Sequence, residues 1–261
     1  MIPDDHALML FRFGEKHWIE KLIQGELSFS CTGAFINQAA KTGNEVQGDK
    51  FEGIFARLEK DDIRIEKMRQ LLGRDLEEIE YAPYTLLRRR SSKMKPIFCF
   101  YGYTASDALS DGKIGQIGFK TIRHDFNPKM YSGFADGLRT CNAVSNPHRF
   151  TLVIIQPKPF VDRVKISMFN EDRGFTMKRV NYSLFKLETF FIEPTTAYDE
   201  LFYKFPQYEY QHETRICLQD KKFSNIFERC SINVGAFLAD DFKMCHEEVY
   251  FQFNAIIEER K

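Results

Sequence analysis

The opening residues predict no export leader. Met1 to His6 is acidic and polar, with no basic stretch running into an apolar one. Nor does any apolar run approach the roughly 18 residues that a membrane span needs. The longest candidate, Phe150–Ile155, is strand-sized. The six cysteines form no Cys-x-x-Cys pair, which excludes zinc-ribbon and thioredoxin motifs. Together these absences predict a cytoplasmic protein with reduced thiols and no membrane contact. Missing too are a P-loop, a dinucleotide glycine fingerprint, a Gly-x-Ser-x-Gly elbow and a His-Glu-x-x-His pair. The six histidines show no ligand spacing, so no metal site is expected.

Net charge is the other absence. Lys and Arg number 37, and so do Asp and Glu. That balance speaks against a simple basic nucleic-acid coat and against an acidic tail. It conceals a split, however. Residues 1–82 carry 11 basic and 16 acidic side chains, residues 83–180 carry 17 and 7, and residues 181–261 carry 9 and 14. A basic middle third is the feature expected to attract phosphate, which makes a nucleic-acid partner worth carrying forward.

What is abundant is apolar and aromatic. Hydrophobic residues make up 43% of the 261, and 26 residues are Phe. This is enough to bury a core and excludes global disorder. Leu8 to Phe13 reads as a strand closed by Gly14, Glu15 to Gln24 as a helix capped by Gly25, and Glu26 to Cys31 as a second strand. Residues 32 to 57 read as a long, lid-like loop. From Leu58 to Tyr81, Ile65, Met68, Leu72, Leu76 and Ile79 make a helical stripe. Strands are predicted at Ile97–Tyr101, Ile114–Phe119, Thr151–Ile155, Val161–Phe169 and Thr214–Leu218, and a further one at Ser231–Phe237. A short helix is predicted at Ala197–Phe205, and a final helix over 239–259. The reading is one mixed α+β domain spanning 1–261, with a helical insert over about 58–95.

Three clusters could carry chemistry. Lys204 to Arg215 sets Gln211 and Glu213 on one face of an extended segment, beside Lys204 and Arg215. Glu213 there either stabilises a developing cation or simply pairs with Arg215 or Lys204. Asp49 and Glu52 either contact a ligand or cap the element that follows. Arg12, a charge inside an apolar strand, needs an acid such as Glu52 or Glu213, or a phosphate. The run Arg88, Arg89, Arg90 is the densest basic stretch.

The same clusters carry a resemblance. Leu10-Phe11-Arg12-Phe13, Gly25-Glu26-Leu27-Ser28-Phe29-Ser30, Asp49-Lys50-Phe51-Glu52, Phe98-Cys99-Phe100-Tyr101, and Lys204 with Gln211-His212-Glu213-Thr214-Arg215 resemble, in order, the motifs of a bacterial domain family of unassigned function. That family is frequent among abortive-infection and phage-defence genes. Here an insertion separates Phe35-Ile36-Asn37 from Asp49, and the family's Ser after Cys-Phe is Tyr101. The order of parts is also similar to that of the ADP-ribosyltransferase superfamily, which has an Arg or His on a first core strand, a Ser or Tyr on a second, and a Glu before a late strand. The resemblance implies a central split sheet and NAD as co-substrate. Arg12, with Phe13 beside it, would bind NAD phosphate, and Ser28 or Ser30 would support the nicotinamide pocket. Tyr101 or Tyr103 would stack on nicotinamide, Glu213 would act on the ribose, and Gln211 would position the acceptor. Asp49, Glu52, Arg88, Arg89, Arg90 and Arg215 would contact the substrate, a nucleic acid or a protein, and a toxin of this type would need a neutralising partner. The alternatives are a metal-dependent nuclease and a non-catalytic binding module.

Overall fold

A computed structural model describes residues 7–43, 49–104, 106–107, 118–126, 150–245 and 250–257. In chain order the elements are β1 (Ala7–Glu15), α1 (Lys16–Ile23), β2 (Glu26–Cys31), α2 (Thr32–Thr42), β3 (Ile54–Glu59), α3 (Ile63–Leu72), β4 (Leu76–Tyr81), β5 (Tyr84–Arg89) and β6 (Pro96–Thr104). They continue with β7 (Gly118–Asp125), β8 (Phe150–Ile155), α4 (Pro157–Asn170), β9 (Phe175–Arg179), β10 (Phe190–Phe191), β11 (Glu213–Leu218), β12 (Cys230–Asn233), β13 (Phe242–Cys245) and β14 (Tyr250–Ile257). The fold is α+β, and every pairing between these strands is antiparallel.

The main sheet branches at β6. On one edge β6 pairs with β11 over Ile97 to Tyr101, and β11 pairs with β9 beyond it. On the other edge β6 has two partners. Its far end, Tyr101 to Thr104, takes β1, and its start, Pro96 and Ile97, takes β2. Between them, at Phe98 to Phe100, β1 and β2 part company. β1 continues alongside β8 and β13, and β2 alongside β12. One face of this sheet packs on α1 and α4 through Leu10, Phe98, Phe100, Ile216, Ile19 and Val164. The second sheet, β10-β3-β5-β4, packs on α3 through Phe55, Leu58, Leu87, Ile65 and Met68. β7 and β14 form a separate ribbon. No helix among the described residues is long and apolar enough to cross a membrane.

Several expected elements differ. Residues 32–42 are α2 rather than loop, and 54–59 are β3. The helix expected over 58–81 is only α3. Asp62 starts it, its side chain accepting from the Arg64 N–H at 2.9 Å, and Gly73 at φ +50° ends it. Leu76 and Ile79 then belong to a strand and point to two different clusters. The expected helical insert over 58–95 is therefore largely the β4–β5 hairpin. Val161–Phe169 is helical: Phe160, Val161, Val164 and Met168 are buried at helical spacing behind Pro157. The expected helix over 239–259 is β13 and β14 in the described residues, and most of the expected strand Ile114–Phe119 lies outside them.

Gly25 is required where α1 turns into β2. Its φ is +93°, and a Cβ there would lie 2.4 Å from the Gly235 carbonyl oxygen. Gly25→Ala is expected to cost about 3 kcal/mol, read as a lower urea midpoint at unchanged slope.

Candidate functional site

The branched sheet and the second sheet meet over the face of β6 and β11 that points away from α1 and α4. Arg215 projects from this face and is 1% exposed. Its Nη1 and Nη2 donate to Glu52 Oε2 and Oε1 at 2.8 and 2.6 Å, and its Nε donates to Glu213 Oε1 at 2.5 Å. It also donates to the Leu201 carbonyl. Lys204 Nζ lies 3.1 Å from Glu52 Oε1 and 2.7 Å from Glu213 Oε2, and donates to Gln211 Oε1 at 2.9 Å. Burial opposes charge on Glu213, but Arg215 and Lys204 outweigh it and hold the carboxyl well below the usual range. Lys204 is raised: burial works against its charge, and Glu213 and Glu52 overcome that.

Asp49 is the third acid here and is also buried. One oxygen accepts from the Phe51 N–H at 2.8 Å, and Oδ2 has no partner among the described residues. Burial, then the charge of Glu52, push Asp49 up to about 7.

Local sequence explains the convergence. Pro206 opens a 3-10 turn, Pro206–Gln211, and His212 follows with φ +40°. The left-handed residue turns the chain into β11, so Gln211 and Glu213 reach inward to Lys204 while His212 faces outward. Arg88 fixes the segment that carries Glu52, donating to the Lys50 and Glu52 carbonyls at 3.1 Å each.

Beside the ionic cluster stands an aromatic wall. Phe11, Tyr101 and Glu213 are register partners across β1, β6 and β11. Phe11 and Phe13 pack edge-to-face on Phe126, and Phe11 on Tyr101. Tyr101 Oη lies 2.8 Å from His124 Nε2, and the Tyr103 ring packs on His124 at 4.4 Å. His212 tilts over Tyr101, with centroids 5.2 Å apart, and its Nδ1 lies 3.0 Å from Asp107 Oδ1. Asp107 in turn accepts from Arg179 at 2.7 Å. Burial works against charge on Asp107, yet His212 and Arg179 hold its carboxyl far below normal. His212, Asp107 and Arg179 border a groove of about 800 Å³ that also takes in Thr104, Tyr182 and Thr214.

The residues expected from sequence divide accordingly. Asp49, Glu52, Gln211, Glu213 and Arg215 come together, and Phe13, Tyr101 and Tyr103 stand next to them. Arg12 pairs with neither Glu52 nor Glu213. It lies over the Phe98 ring at 4.9 Å and donates to the Cys99 carbonyl, the backbone acceptor exposed where β1 and β2 separate. Ser28 and Ser30 are set apart. Ser30 pairs with Ile97, four residues from Tyr101, or about 13 Å along the strand. Ser28 pairs with Ser231 on β12. The basic run is not a phosphate-binding face. Arg89 is bidentate to the buried Glu200 at 2.7 Å, Arg88 pairs with Glu77 at 2.8 Å, and of the three only Arg90 is exposed. Gln211 is not available to an acceptor, because it is buried against Lys204.

Sequence reasoning did not select His212, Asp107 or Arg179. His212 lies within a motif that was read, but its outward turn depends on a backbone angle. Asp107 and Arg179 are 72 residues apart in the chain, so no local pattern links them. Among the described residues, no group of three or more His, Cys, Asp and Glu is arranged to hold a metal ion. No family model, curated protein or solved structure matches the chain.

Proposed function

We propose that the protein is an NAD-dependent ADP-ribosyltransferase of the toxin or phage-defence type. The observation that carries this reading is the register row Phe11–Tyr101–Glu213 across three adjacent strands, with Arg12 beside it on the first. The superfamily resemblance asks for an Arg or His on a first core strand, a Ser or Tyr on a second and a Glu opening a late one. The row supplies Tyr101 on the second strand, in place of Ser28 or Ser30, and Glu213 on the third; the Arg is Phe11's neighbour on the first strand, Arg12, whose side chain lies over Phe98.

The chemistry follows from the environment. An oxocarbenium-like transition state is stabilised by a fixed, ionised carboxylate. Glu213 is fixed by Arg215 and Lys204 and kept ionised by them. Tyr101, buried against Phe11, Phe126 and His124, is the aromatic register partner of Glu213.

The test uses NAD labelled in its adenylate half, with total RNA and soluble lysate protein offered as acceptors. The wild-type chain is expected to transfer label, and Glu213→Gln to lower transfer by about 100-fold or more while retaining its fold by circular dichroism. Undiminished transfer by Glu213→Gln, or none by the wild type, sinks the reading.

A further inference from the structure

We infer that the outer edge of β9 pairs with β9 of a second copy of the chain, joining two main sheets about a two-fold axis at Thr176. This surface is independent of the transferase chemistry above. The direction of the backbone groups comes first. The Val180 N–H donates to the Glu213 carbonyl and the Gln219 N–H to the Gly174 carbonyl, both at 2.8 Å, so the even-numbered residues of β9 carry the bonds to β11. The N–H and C=O of Phe175 and Met177 therefore point the other way, and they meet no backbone partner there among the described residues. Asn181, further along the same side, shows that this edge can take a strand: its N–H donates to the Phe202 carbonyl and its carbonyl accepts from the Lys204 N–H. A groove of about 800 Å³ leaves room beside Met177, Lys178 and Arg179.

Edge strands are ordinarily kept apart by protruding charges or by being short. β4, at the edge of the second sheet, exposes Glu78 and Glu80, and β12 and β13 have four residues each. β9 has five, and its cations are tied down, Lys178 to Asp199 at 2.6 Å and Arg179 to Asp107 at 2.7 Å. The strand also fits itself. Antiparallel pairing through the outward groups of Phe175 and Met177 sets each of these residues opposite the other in the second copy, a thioether against an aromatic ring. Thr176 then faces its own copy and Lys178 faces Gly174, so no like charges within the strand are opposed. The whole chain, with 37 cations and 37 anions, has no net charge to hold two copies apart. Both α4 helices come to lie on one face of the joined sheet, and the last turn of α4, which runs into β9, leaves Phe169 86% exposed. Because each copy offers the same edge, the pairing closes at two.

Sedimentation of the full chain between about 1 and 200 µM is expected to show the 30.7 kDa monomer giving way to a dimer of twice that mass. Met177→Pro removes an N–H that points away from β11, so the ladder to β11 is kept. It is expected to weaken the dimer by about 100-fold with an unchanged circular dichroism spectrum. Thr176→Cys sets a thiol opposite its own copy in a non-hydrogen-bonded pair, where Cα atoms lie about 4.5 Å apart and within disulfide range. In oxidised glutathione this variant is expected to run as a covalent dimer on a non-reducing gel, and the wild type, with its native cysteines, as a monomer. Should Met177→Pro lose its fold, the cross-link decides alone. A chain that stays monomeric over the whole range overturns the proposal and leaves the edge to a strand of another protein. A dimer that Met177→Pro leaves intact, or a Thr176→Cys chain that cross-links no more than wild type, overturns it as well.

Discussion

Arg215→Met is expected to lower the stability of the protein by about 3–5 kcal/mol, a large part of the roughly 5–15 kcal/mol that a domain possesses. Arg215 is the cation between two buried acids, Glu52 and Glu213, which are 161 residues apart in the chain and 2% and 7% exposed. Removing it leaves two carboxylates with Lys204 alone, in a place where water cannot replace the lost donors. Methionine fills much of the volume, so the loss reports charge rather than a cavity. Urea unfolding measures it. The double variant Arg215→Met with Glu52→Gln should be more stable than the single one, since one orphaned charge is gone. If the single variant unfolds at the wild-type urea concentration, the cluster does not hold the two sheets together. Arg215→Lys should rescue little, because an ammonium cannot span Glu52 and Glu213 as the guanidinium does.

Asp49→Asn should do the opposite, and do so in a pH-dependent way. Asp49 titrates at about 7 in the folded chain, raised by burial and by Glu52 from an ordinary value of 3.8. A group with a raised folded pKa contributes stability that is fully present below about pH 4 and lost as the pH climbs through about 7. The shift corresponds to about 4 kcal/mol lost by pH 8. Asn stays neutral throughout and keeps an oxygen for the Phe51 N–H. The variant should therefore match the wild type near pH 4 and exceed it by up to about 4 kcal/mol at pH 8. Melting temperatures across that range decide it, and a gap that does not change with pH refutes the raised pKa.

The parts of this molecule that were legible in the sequence are those set by neighbours in the chain. The structure places β1, α1 and β2 within a residue or two of expectation: Gly25 separates α1 from β2, while β1 runs on through Gly14 to Glu15. The errors share one cause. The 3.6-residue stripe from Ile65 to Ile79 runs straight through Gly73, whose φ of +50° breaks the helix that the period suggests. Val161 and Val164 favour a strand by composition, yet they fill one face of α4 against the branched sheet. The candidate site was half legible. The cluster Lys204 to Arg215 announces carboxylate and cation in proximity, but it cannot say that both Arg215 and Lys204 take Glu213 at once. Nor could the run Arg88–Arg90 reveal that Arg89 finds Glu200, 111 residues away. Partners at such separations are set by the sheet pairing rather than by any local pattern.

The branch point of the main sheet has a consequence for how the molecule opens. Elsewhere two strands can be separated only by breaking a ladder of backbone hydrogen bonds. Where β1 and β2 diverge from β6, the edge is closed by one side chain, Arg12, resting on the Cys99 carbonyl. Widening the sheet there breaks one hydrogen bond and one cation–ring contact. That seam borders Cys99, the register partner of Arg215 on β11.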